Sequence, residues 1–220
     1  MKSVRNILRM AISVVGISGL VHAASVQAAT PTEQLRGSID QVLKILKDES
    51  LKRPGKDKER RVVIRKVISE RFDFEEMSKR SLATHWTKRT PQEKKEFVEV
   101  FTNLLERSYM DRIEAYTDEQ VEYNNEKTDE GFAVVRTTIT AKDKEPIPID
   151  YKLMKEGDIW KVYDVVIEGV SLVNNYRNQF NKIISANSYQ ELLRKMKTKE
   201  AEILKQPSAG GKKKSSGGLD

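Results

Sequence analysis

The spacing of apolar residues changes twice along this chain, and this pattern restricts the fold more than any other feature. From residue 31 to about residue 116, apolar side chains recur near the 3.6-residue period of amphipathic helices. After Asp118 the period becomes two, as in half-buried strands, and it returns to the helical value after Gly169. Helices, then strands, then helices predict the α+β class, with helices packed on one face of a curved four-stranded antiparallel sheet.

The clearest local signal for a helix is Thr90-Pro91-Gln92-Glu93. Thr90 can cap the helix, Pro91 suits its first position, and Glu93 completes a capping box. A long helix is therefore predicted from there to about residue 116. Asp73 is predicted to cap a short helix over residues 74–83. Further helices are predicted over residues 31–47, 58–70, 171–185 and 189–204.

The predicted strands cover residues 121–126, 132–141, 147–154 and 160–167. The last two are expected to form a hairpin across Glu156-Gly157-Asp158. Regular alternation on the last strand would place Trp160, Val162 and Val166 on one face, and Tyr163, Val165 and Ile167 on the other. A strand that is apolar on both faces needs cover on both sides, or a cavity on one. On apolar count alone, a well-filled core and a ligand cleft between helices and sheet both remain open.

The N-terminus has the pattern of a secretory signal peptide. Lys2, Arg5 and Arg9 precede a mainly apolar stretch over residues 10–24, and small residues follow at Ala28 and Ala29. The stretch falls short of a bilayer span, although an N-terminal membrane anchor is the alternative. Residues 1–28 are thus predicted to be removed, residues 29–204 to form one domain, and residues 205–220 to be a disordered Lys/Gly/Ser tail.

The charge balance argues against a nucleic-acid partner. The chain has a net charge of +7, but residues 1–28 contribute three of these charges and residues 205–220 another three. The predicted domain is therefore close to neutral, whereas nucleic-acid binders concentrate positive charge on the folded surface. The chain also has no cysteine, which excludes thiol nucleophiles, Fe–S clusters and cysteine zinc sites.

Candidate catalytic groups are few, and we predict no catalytic residue, no metal site and no cofactor. His85 is the one histidine after the predicted signal peptide, and it has no neighbours in sequence that would form a triad. Tyr163 and Asp164 are the best acid–base candidates, because a buried carboxyl can have a raised pKa. The simpler interpretation is that Asp164 accepts hydrogen bonds from backbone donors or pairs with Arg136.

Four segments of the chain carry specific motifs: residues 71–77, 82–86, 90–105 and, most specifically, residues 160–173 with the pattern W-x-x-Y-D-x-x-x-E-G-V-S. These segments resemble the MlaC (toluene-tolerance) family. The similarity extends from about Pro31 to Lys199. Ala83 stands where the family is expected to have glycine.

The resemblance implies a periplasmic phospholipid-binding carrier with an NTF2-like fold and an apolar pocket for acyl chains. Such carriers shuttle lipid between an outer-membrane lipoprotein–porin complex and an inner-membrane ABC transporter complex, which maintains outer-membrane lipid asymmetry. A monomer is the simplest expectation. A ligand-free adaptor and an enzyme using Asp164 and Tyr163 are the alternatives. The residues predicted to line the lipid site are Phe97, Phe101, Leu104, Tyr151, Leu153, Trp160, Val162 and Val166.

Overall fold

The computed structural model describes residues 29–116, 118–142 and 144–205. The predicted signal peptide, and the predicted tail after residue 205, lie outside these residues. The α-helices are α1 (Pro31–Lys47), α2 (Asp57–Arg71), α3 (Phe74–Leu82), α4 (Pro91–Glu114), α5 (Leu172–Ala186) and α6 (Tyr189–Lys205), with a 3-10 helix (Ala83–Lys88) before α4. The strands are β1 (Gln120–Asp129), β2 (Phe132–Thr140), β3 (Ile147–Glu156), β4 (Ile159–Ile167) and β5 (Val170–Ser171).

The strands confirm the α+β prediction. They form one antiparallel sheet in the order β1-β2-β3-β4-β5, so each strand pairs with its neighbour in sequence. The fifth strand has two residues and was not predicted. Glu130 and Gly131 both have positive φ, 41° and 85°. This is the conformation of the tight turns that match the twist of a hairpin, and it explains why glycine is useful at that position.

The predicted helix caps are confirmed. The Glu93 amide donates to the Thr90 hydroxyl, and the Glu93 carboxylate accepts from the Thr90 amide. The Asp73 carboxylate accepts from the Glu76 amide at 2.8 Å. These bonds satisfy amides that have no partner within the first helical turn. Across the described ranges, no helix is both long enough and apolar enough to cross a membrane.

Two bulges bend the sheet, and one of them corrects the predicted alternation. In β1 the pairing skips Asn124, and in β4 it skips Tyr163. One extra residue in a strand reverses which side chains face each side beyond it. The assignment of Val166 to the face of Trp160 and Val162 is therefore wrong.

One face of the sheet, here called the inner face, packs against α1. Leu35 of α1 is 1% exposed on it, and Ile39 is partly buried beside it. The other side of the sheet is called the outer face. The inner face consists of Tyr123, Ala133, Val135, Ile139, Ile149, Tyr151, Leu153, Trp160, Val162, Val165 and Ile167.

A second apolar cluster, here called the helical core, lies among α3, α4, α5 and α6. Phe101 contacts three other rings there, with centroids 5.7 Å from Phe97, 5.0 Å from Tyr176 and 5.3 Å from Phe180. These contacts combine offset and edge-to-face geometries, which aromatic pairs favour. Phe72, at the end of α2, packs against both clusters and joins the helical core to the inner face.

Candidate functional site

Burial changes along the inner face from one end to the other. Ala133, Leu153 and Val162 pair side by side across β2, β3 and β4, and each is 2% exposed or less. At the opposite end Ile139 pairs with Ile147; Ile139 is partly buried and Ile147 is 38% exposed. We call these the closed end and the open end of the inner face. An apolar surface that remains accessible beside a covered one is a place where a hydrophobic ligand can enter.

Polar contacts fasten α1 and α2 to the closed end. The Arg71 guanidinium donates to the Trp160 carbonyl at 2.6 Å, to Gln34 Oε1 at 2.8 Å and to Ser38 Oγ at 3.0 Å. Gln34 Oε1 also accepts from the Trp160 amide at 3.0 Å. Partial burial lowers the pKa of Arg71 from its usual value. Because these bonds join two helices to one strand, this end is closed by bonding as well as by packing.

Tyrosines lie between the closed end and the open end. Tyr123 on β1 is partly buried, and the Arg36 guanidinium of α1 lies over its ring at 4.1 Å. Burial raises the pKa of Tyr123, and the nearby charge of Asp40 raises it further. Burial also raises the pKa of Tyr151 to about 12. Both phenols are therefore protonated at neutral pH and can donate hydrogen bonds.

A shallow groove of about 570 Å³, wide open to solvent, runs along the C-terminal half of α1. Its lining combines an apolar residue, Leu43, with charged residues: Asp40, Lys44, Lys47 and Asp48. Asp40 is also close enough to Tyr123 and Tyr116 to influence their ionisation. The groove therefore lies near the tyrosines of the inner face, and it presents both signs of charge to a ligand's polar end.

The structure separates the eight predicted site residues into three groups. Leu153, Trp160 and Val162 lie together at the closed end, and Tyr151 is on the same face. Val166 pairs with Asp150 and lies on the outer face, next to the inward-facing Val165. The remaining three lie in the helical core and are 2% exposed or less: Phe97, Phe101 and Leu104.

Sequence reasoning missed several residues of the inner face. Val165 and Ile167 require the bulge at Tyr163, for which the sequence gives no local signal. Tyr123 fell within a predicted strand but was not singled out. Leu172, the first residue of α5, packs against the inner face although its helical pattern only indicated a buried side.

The hydrogen-bond and ion-pair partners of Asp164 indicate a structural role. It is 4% exposed and accepts from the Ser171 hydroxyl at 2.7 Å and the Val173 amide at 3.1 Å. Its ion-pair partner is Lys152, at 3.2 Å, rather than Arg136. These contacts tie the start of α5 to β4 and agree with the simpler interpretation of Asp164. Within the described part of the chain, no three His, Asp or Glu side chains are grouped so as to hold a metal.

Tyr163, the other acid–base candidate, lies on the outer face. The Arg80 guanidinium lies over its ring at 4.1 Å, and its edge meets Phe132 with centroids 6.1 Å apart. Its ring is thus held by contacts other than Asp164.

Known proteins are similar to this chain in sequence and in fold. The chain is 23% identical over 165 residues to the toluene tolerance protein Ttg2D of Pseudomonas putida, covering 74% of this chain and 77% of that protein. It is 24% identical over 141 residues to the intermembrane phospholipid transport system binding protein MlaC of Haemophilus influenzae, covering 62% of this chain and 66% of that protein.

A solved structure extends the comparison to three dimensions. It is the phospholipid-binding protein of Ralstonia solanacearum in complex with a phospholipid, with a TM-score of 0.73 and 28% identity. The match covers 80% of this chain and all of that chain. In addition, the family described as MlaC protein matches residues 36–198, which is most of the sequence. The chain belongs to the MlaC family.

Proposed function

We propose that this protein is a periplasmic carrier that binds phospholipid through its acyl chains on the inner face. The observation that carries the proposal is the accessible apolar surface at the open end, beside a closed end that excludes water. Each buried CH₂ group contributes about 0.8 kcal/mol, so an acyl chain gains affinity in proportion to the length that is covered. The phospholipid bound to the structural relative from Ralstonia solanacearum supports the same ligand class.

The predicted signal peptide supports a periplasmic location for residues 29–220. The name of the Haemophilus influenzae relative supports transport between membranes. We propose an outer-membrane lipoprotein–porin complex and an inner-membrane ABC transporter complex as partners, with maintenance of outer-membrane lipid asymmetry as the outcome. We further propose that the carrier is a monomer without cofactor, catalytic activity or nucleic-acid partner.

We propose that side chains of the inner face line the lipid site. Tyr151, Leu153, Trp160 and Val162 belong to it and remain predicted lipid contacts. The residues of the helical core would contact lipid only if the helices moved apart from the sheet. The corrected register adds Val165 and Ile167 and argues against Val166.

The function is tested by extracting the natively folded protein, purified from the periplasm of an expressing bacterium, with organic solvent. Mass spectrometry of the extract should show phospholipid in a fixed ratio to protein. The protein should also take up phospholipid from vesicles after removal of bound lipid. A folded protein that neither contains nor takes up phospholipid would contradict the proposal and favour the ligand-free adaptor. Turnover of a lipid during the assay would instead favour the enzyme.

A further inference from the structure

The hydroxyl group of Tyr123 is buried without a partner. Its oxygen is shielded from solvent and has no hydrogen-bond partner within the described residues. Burying a hydroxyl without a partner is unfavourable, so native proteins rarely retain one without a reason. A bound molecule that brings an acceptor to this point is one such reason.

None of the described groups around Tyr123 accepts a hydrogen bond from its hydroxyl in this conformation, although Asp40 is near enough to raise its pKa. The guanidinium of Arg36 lies over the ring and has only donors. Thr137, which pairs with Tyr123 across the ladder, donates its own hydroxyl to the Ile149 carbonyl at 2.9 Å and accepts no bond from Tyr123. Its inner-face neighbours on β2, Ile139 and Val135, are apolar.

The local charge favours a neutral acceptor over an anion. Asp40 is close enough to raise the pKa of Tyr123, so its negative charge would also oppose a phosphate placed at the hydroxyl. Arg36 offsets part of that effect, which leaves little net attraction for an anion. A carbonyl oxygen needs only a donor. The ester carbonyls of a phospholipid lie between its acyl chains and its phosphate, and Tyr123 likewise lies on the apolar inner face near Asp40 of the charged groove along α1.

We propose that the Tyr123 hydroxyl donates a hydrogen bond to an ester carbonyl of the bound phospholipid. This inference rests on the carrier function proposed above. Because every diacyl phospholipid has ester carbonyls, such a bond depends on the ester linkage between acyl chain and glycerol and not on the head group. Tyr123 would then fix how far a lipid enters.

The test compares two probes with the same chains and head group. Delipidated protein is loaded with an equimolar mixture of dioleoyl phosphatidylglycerol and its diether analogue, which lacks the carbonyls. Bound lipid is extracted and quantified by mass spectrometry. We expect wild-type protein to prefer the diester about fivefold, the usual value of one net hydrogen bond, and Tyr123→Phe to show a ratio near one.

Tyr163→Phe is the matched control. Tyr163 also has a guanidinium 4.1 Å from its ring, but it lies on the outer face. This variant should keep the wild-type ratio. Without lipid, Tyr123→Phe should be at least as stable as wild type, because it removes an unpaired polar group. Equal ratios in wild type and Tyr123→Phe would overturn the inference. If wild-type protein bound neither lipid, the carrier function itself would fail.

Discussion

The helical core and the inner face contain similar apolar side chains but differ in how completely they are covered. In the helical core, aromatic rings contact one another, and the buried residues that form it are each 9% exposed or less. On the inner face, burial decreases from the closed end to Tyr123, Ile139 and Ile167. The amount of apolar surface is therefore a poor guide to a binding site. The absence of a packed partner over part of that surface is the better one.

The largest expected effect tests whether Phe101 serves only to fill the helical core. Phe101→Ala should lower the free energy of unfolding by about 4 kcal/mol, because it leaves a cavity among three rings. Urea denaturation measures this loss. Phe101→Leu should retain more stability and remain folded for lipid extraction.

If Phe101 only fills the core, the lipid content of folded Phe101→Leu should equal that of wild type. Loss of lipid from a folded variant would instead extend the site into the helical core, as predicted for Phe97, Phe101 and Leu104.

The bonds of Arg71 provide the second test. Arg71→Met keeps much of the side-chain length but leaves the Trp160 carbonyl and Gln34 without their charged donor. We expect a loss of about 3 kcal/mol in the free energy of unfolding. Arg53→Met, at an exposed position between α1 and α2, should change it by less than about 0.5 kcal/mol. Equal stability of the two variants would show that packing alone holds the closed end.

A substitution at the open end should affect lipid binding more than stability. Ile139→Asp places a charge on a partly buried position, so we expect a stability loss of only about 1 kcal/mol but about a tenfold loss of retained lipid. Val62→Asp is the control, because Val62 of α2 is 65% exposed, and this variant should retain lipid normally. Lipid extraction of both purified variants provides the measurement. Normal lipid retention by Ile139→Asp would argue against entry at this end.

The smallest effect concerns the joint between α3 and the 3-10 helix. Ala83 has φ 48° and ψ −123°, a conformation that glycine adopts far more easily. Ala83→Gly should therefore raise the free energy of unfolding by about 1 kcal/mol, with no change in lipid content. Ala201→Gly, within α6, should lower it by about 1 kcal/mol. Destabilisation of both variants would show that the Ala83 conformation is not strained.

Local patterns allowed much of the fold to be predicted from sequence. The capping box at Thr90 and Glu93 located α4, and alternation located the four long strands, because both depend on neighbours in the chain. The glycine expected at position 83 from the family resemblance agrees with the positive φ found there.

The site was less predictable because it depends on contacts between distant segments. The bulge at Tyr163 moves Val165 and Ile167 to the inner face and Val166 away from it. Apolar periodicity also cannot tell which stripe faces a helix and which faces a sheet, so Phe97 and Leu153 were grouped together. Tyr123 was missed because an unpaired hydroxyl is visible only once its neighbours are placed.

The bulge at Asn124 has a further consequence, since β1 is an outermost strand. A long regular edge strand exposes a row of backbone amides and carbonyls that can pair with another chain and start aggregation. Asn124 interrupts that row in β1. At the opposite edge of the sheet, β5 has only two residues. Because β5 pairs only with Val166 and Ile167, the rest of β4 is an edge as well, and there the Phe72 bridge to Val162 and the Arg71 bond to the Trp160 carbonyl interrupt the row. Among the described residues, each edge of the sheet thus offers a second chain fewer free groups than a regular edge strand would.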